Sequence, residues 1–165
     1  MSSNQFVKCK GCGALVLNVN GPVHKYIGAV AGCWNIYCKI LKREYGEYNR
    51  TDIHRLTVDT YSVQHPGNKS PLTIQSMAVH LLGLYYCIEK GFSSEEVTEI
   101  VRRSLKNKSQ FYWLEPPKKQ SYLNIVDVFK TKNFTEHEGI VRDWAFQTWK
   151  DWQEYHNIIN KWAIK

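Results

Sequence analysis

The sequence has no run of about 18 apolar residues, so a membrane-spanning helix is excluded from the expected architecture. Its opening, MSSNQFVKCKGCG, has no apolar secretory core, and the expected location is the cytoplasm. No internal repeat or low-complexity linker divides the 165 residues. That length suits one domain able to bury its own core, expected over 1–165. Cysteine is scarce and odd in number, at five, which excludes a disulfide framework as the expected staple. Blocks of one charge are also missing. The net charge of +7 comes from Lys and Arg scattered through KREYGEYNR, RRSLKNK and PPKKQ among carboxylates. No recognised nucleic-acid motif accompanies them, so a solvated basic surface is the expectation and nucleic acid is not the expected partner.

What is present reads as mainly α. Trp34, Tyr37, Ile40 and Leu41 recur at three- and four-residue steps, predicting a first helix that stops near Gly46. HRLTVDTYSVQH predicts a second helix ended by Pro66-Gly67, although its β-branched residues keep a strand as the alternative. PLTIQSMAVHLLGLYYCIEKG is apolar on nearly every face, as a central buried helix must be. Ser93 and Glu96 form a capping-box pair before a shorter amphipathic helix. Pro116-Pro117 predicts a loop, followed by a short helix at 125–129. Val141, Trp144, Thr148, Trp152, Tyr155, Ile159 and Trp162 make one stripe of a long final helix, read as core or homodimer interface. The expected architecture is a helical bundle over 34–165 with an N-terminal zinc-knuckle-like loop module, 1–33, packed on it.

Cys9 and Cys12, in CKGCGA, have the two-residue gap that lets two thiolates reach one tetrahedral ion. The nearest further donors are His24 and Cys33, so Cys9, Cys12, His24 and Cys33 are the expected zinc ligands, in a spacing that matches no standard finger. A redox dithiol and unliganded thiols stay open as alternatives. Cys38 and Cys87 read as small core residues.

His80 lies in the apolar helix, where an unpartnered imidazole costs about 1–3 kcal/mol, so something polar must meet it. Asp59, Gln64 and His65 in DTYSVQHPG are the candidates. Asp59, His65 and His80 together form a two-histidine, one-carboxylate set of the kind that holds a catalytic ion. Ser76, one turn before His80, lacks the glycine-flanked elbow of a serine nucleophile. His156 would face the same cavity as His80 if the last helix packed on the central one. His137, between two glutamates, reads as part of a solvated helix start.

CKGCGA, GPVHKY, GCW, HRLTVDTYSVQHPG, QSMAVHLLGL, WLEPP and WAFQTWKDWQEYH, in this order, resemble a family of small bacterial proteins catalogued only as a domain of unknown function. The resemblance covers nearly the whole chain. It implies that Cys9, Cys12, His24, Cys33, Asp59, Gln64, His65, Ser76, His80 and His156 occupy motif positions, and that Cys38 and Cys87 do not. It carries no activity with it.

Three functions follow as expectations. The first is a structural-zinc protein whose polar pocket binds a small molecule or a protein partner. The second is a metal-dependent hydrolase using Asp59, His65 and His80. The third is a binder of nucleic acid or an acidic partner through the +7 charge.

Overall fold

The computed structural model describes residues 5–118 and 122–163. Its described residues form seven α-helices and one small sheet. The N-terminal segment pairs β1 (Phe6–Lys8) antiparallel with β2 (Leu15–Leu17), Val7 facing Val16. CKGCGA is therefore the tip of a hairpin, a regularity that the glycine-rich composition concealed.

Helix α1 (Ala31–Arg43) buries Cys33, Tyr37 and Ile40, and runs on into a wide π turn, Glu44–Tyr48. Helix α2 (Thr51–Gln64) follows and resolves the helix-or-strand alternative in favour of helix. Nine of its fourteen residues are buried, because α3 covers one side and α6 another.

Ser70 caps α3 (Pro71–Leu84) by accepting from the Thr73 amide at 3.1 Å, and Pro71 stands where a missing N–H costs nothing. With its continuation to Glu89, α3 is long and apolar enough to cross a membrane by length and composition. This corrects the reading that no segment reaches that length. In the fold half of that stretch is buried, packed against α2 and the helices that follow.

Helix α4 (Ser94–Ser104) opens on the expected capping box, with Glu96 Oε2 accepting from the Ser93 amide at 2.7 Å. Helix α5 spans Ile125–Phe129. The long final helix is in fact broken into α6 (Phe134–Asp151) and α7 (His156–Trp162). At the break Trp152 leaves helical geometry, and amide-to-carbonyl bonds three residues apart replace the regular ladder. The aromatic stripe survives the break: Val141, Trp144, Thr148, Trp152, Ile159 and Trp162 are all buried. His156 fills it by stacking on Trp149 at 3.9 Å and donating from Nε2 to the Trp149 carbonyl at 2.9 Å. It therefore does not share a cavity with His80.

Candidate functional site

The hairpin tip brings Cys9 and Cys12 onto the start of α1, where Cys33 waits. The Cys9 amide donates to Ala14 and the Gly13 amide to Cys9, which closes a tight turn around the two sulfurs. Cys12 Sγ lies 3.9 Å from Cys33 Sγ. The fourth donor is His65 at the end of α2, whose Nε2 is 3.4 Å from Cys33 Sγ. All four donor atoms fall within 4.8 Å of one another and all four residues are buried. This group could hold a metal ion.

His24 is not in it. Its side chain is exposed and its Nδ1 accepts from the Tyr26 amide at 3.4 Å. Of the expected set Cys9, Cys12, His24 and Cys33, the three cysteines come together, and His65, not His24, lies with them. Three local features build the His65 position. Its Nδ1 contacts the Tyr61 carbonyl at 2.7 Å; a carbonyl only accepts, so Nδ1 carries the proton and Nε2 presents a lone pair to the sulfurs. The ring stacks on Tyr61 at 3.9 Å, and Tyr61 stacks in turn on Tyr37 of α1. Finally, Gly11 lies so close that a Cβ there would collide with the imidazole. A hydrogen bond from the Gly28 amide to the His65 carbonyl, 2.8 Å, and a bridge between Ile27 and Pro66 tie the loop to the HPG turn.

The three thiols are pushed in opposite directions by one another. Hydrogen bonds from Cys12 and Cys33 hold Cys9 far below the usual thiol range. Cys33, bonded to Cys12 and Cys9 and then buried, is pushed far above it. A bound cation would offset the charge that several thiolates would carry together here.

Asp59 goes elsewhere. It lies six residues before His65 on α2, which at about 100° and 1.5 Å per residue places the two about 120° and about 9 Å apart. The trio Asp59, His65 and His80 is therefore split: His65 lies with the sulfurs, while Asp59 and His80 meet on another side of α2. Asp59 Oδ1 accepts from His80 Nδ1 at 2.8 Å, and Oδ2 accepts from Arg55 Nε at 2.8 Å. Gly83, one turn after His80, is what admits the carboxylate, because a Cβ there would collide with it. Gln64 instead accepts from Trp144 Nε1 at 3.1 Å and donates to the Leu123 carbonyl, so it braces α6 and the chain before α5.

A second carboxylate, Glu44, was not singled out in the sequence. It is buried at the start of the π turn, accepting from His137 Nε2 at 2.8 Å, from His54 Nδ1 at 3.0 Å and from Thr57. Burial pushes its pKa up, but these three donors outweigh it and hold the carboxyl below its usual range. His137 is fully buried, not the solvated residue its flanking glutamates implied. The signal was available: Glu44 continues the buried Tyr37 and Ile40 face of α1, and His137 precedes Val141 and Trp144 on the stripe of α6.

His54, Arg55, Asp59 and His80 border one groove of about 530 Å³ between α2, α3 and α4. Ser76 does not line it. Cys38 is exposed, against expectation, and Cys87 is partly buried against the core.

The motif segments span the hairpin tip, both ends of α2 and the histidine of α3, and a family match spans them too, over residues 7–153. The chain belongs to DUF5946, a family of unknown function. That match takes in the four donors at the hairpin tip, both carboxylate–histidine clusters and all of α1 to α6. Neither a curated protein nor a solved structure matches the chain significantly. A DUF5946 role must therefore be argued from these sites.

Proposed function

We propose that the chain is a zinc-binding helical protein whose ion is structural, and whose working surface, for a small ligand or a protein partner, is the groove beside Asp59 and His80. The observation that carries the zinc reading is the spacing of the four donors. Zinc at about 2.3 Å from sulfur and about 2.0 Å from nitrogen, in a tetrahedron, requires edges of about 3.8 Å between sulfurs and about 3.5 Å from sulfur to nitrogen. Two of these edges, Cys12–Cys33 at 3.9 Å and Cys33–His65 at 3.4 Å, agree with it. Three thiolates and one imidazole form the soft donor set that favours zinc.

When bound, the ion would supply charge compensation and a cross-link between hairpin, α1 and α2. Four protein donors complete its shell and leave no place for a water, as in structural sites. Nothing comparable favours the hydrolase: His65 is spent on the sulfurs, and both Asp59 oxygens are taken by His80 and Arg55. Reduced thiolate ligands suit a reducing compartment such as the cytoplasm.

Elemental analysis of purified protein tests this. One zinc per chain is expected, lost in Cys33→Ala and His65→Ala and kept in His24→Ala and His80→Ala. Zinc kept without His65, or lost without His80 while the fold persists, would overturn the assignment.

A further inference from the structure

We infer that the groove between α2, α3 and α4 binds a small organic anion with an apolar body, an inference that rests on reading this groove as the working surface. Its volume, about 530 Å³, is that of a small-molecule site. Val58, Val79, Val101 and Leu105 supply an apolar lining, which suits a hydrocarbon or aromatic body and excludes a bare inorganic ion as the natural fit.

Arg55 and Arg102 line the groove, and Asp59 is the one carboxylate among the described lining residues. Arg102 is already paired with Glu99, donating from Nε at 3.1 Å and from Nη2 at 2.8 Å, so the contact to an anion falls first to Arg55. Asp59 is buried to 1% exposure and both its oxygens are already bonded. It neutralises charge from behind and offers nothing to a ligand. Arg55 keeps donors to spare: of five N–H groups, Asp59 takes Nε and Thr98 takes one on Nη1, at 3.1 Å. Its guanidinium is held in place by both contacts, so its remaining donors are already oriented for a carboxylate or phosphate.

Two histidines border the same lining. His80 gives its Nδ1 proton to Asp59 and His54 gives its own to Glu44, each to a carboxylate at 1% exposure. Both rings line the groove, and no group among the described residues bonds either Nε2. Each ring is thus fixed by a buried carboxylate; with its proton on Nδ1 a neutral ring offers a lone pair at Nε2, so recognition of the anion falls to Arg55.

The test is calorimetric titration of the full, zinc-loaded chain with hexanoate, decanoate and naphthoate, with the amide of each, and with inorganic phosphate. Binding of at least one carboxylate, one per chain and about tenfold tighter than its amide, is expected, since a charge-assisted bond is being gained. Arg55→Met should remove that preference. Should this variant fail to fold, Arg102→Glu on the exposed rim serves instead, weakening the carboxylate and leaving the amide unchanged. Equal binding of carboxylate and amide would overturn the anionic class while leaving the groove as a binding site. Binding of phosphate alone, or carboxylate binding that neither variant changes, would overturn the inference. No binding of any probe, with zinc content and fold intact, would overturn both it and the groove's role, and leave the structural-zinc reading standing.

Discussion

His65 and His80 solve the same problem with opposite results. Each ring donates Nδ1 to an oxygen, the Tyr61 carbonyl for His65 and the Asp59 carboxylate for His80, and so presents Nε2. At His65 that nitrogen lies within 4.8 Å of three buried sulfurs. At His80 it borders an open groove and has no protein partner among the described residues. The partner on Nδ1 sets the tautomer in both cases, but the company on the other side decides whether the ring ties the fold together or meets a ligand. One helix, α2, separates the two by supplying His65 to one side and Asp59 to another.

The largest expected break in this comparison is on the closed side. Cys33→Ala removes the thiol that lies 3.9 Å from Cys12 Sγ and 3.4 Å from His65 Nε2. It should cost on the order of 5 kcal/mol or more, since structural zinc contributes apparent free energies of about 10–16 kcal/mol in small domains. Denaturant unfolding with and without a chelator reads this. Wild type should fall to the level of the variant when chelated, and the variant should ignore the chelator.

Gly83→Ala probes the other side. Inside an exposed helix this change would stabilise by about 1 kcal/mol. Here the new methyl would collide with Asp59, so a destabilisation of about 1–3 kcal/mol is expected instead. Thermal melts decide the sign, and a stabilised variant would mean that Asp59 does not need its seat against α3.

Glu44, behind the groove at His54, makes a smaller and pH-dependent contribution. Its folded pKa lies below the unfolded value of 4.5. The native state therefore holds the ionised form more tightly than the unfolded chain does. Its contribution is fully present above about pH 4.5 and is lost as the pH falls through the lower folded value. Stability of Glu44→Gln should accordingly fall less steeply on acidification below pH 4.5, and identical acid limbs would contradict the role given to Glu44. The smallest effect is at His24, where replacement by Ala should move stability by no more than about 0.5 kcal/mol and leave metal content unchanged, because the ring is exposed.

These sites differ in how far the sequence reveals them. Cys9 and Cys12 are legible because a two-residue gap fixes their distance locally. The Ser93 capping box and the short helix at 125–129 are legible for the same reason, since each depends on neighbours a few residues away. His65 meets Cys33 across 32 positions, and chain spacing says nothing about which loop returns to which helix end. His24 is closer in sequence and is the natural choice for a fourth ligand from spacing alone, yet it lies outside the Cys9, Cys12, Cys33 and His65 group. His137 shows the converse, a misjudged local environment: two flanking glutamates outweighed the stripe to which the residue belongs. The break at Trp152 carries no glycine or proline to announce it, and the aromatic pattern continues through it.

X-ray absorption at the zinc edge of the purified protein tests the central claim most directly. The account predicts three sulfurs at about 2.3 Å and one nitrogen at about 2.0–2.1 Å, with imidazole scattering that disappears in His65→Ala and persists in His24→Ala. A shell of two or more nitrogen or oxygen donors, or imidazole scattering lost with His24 or His80, would contradict it.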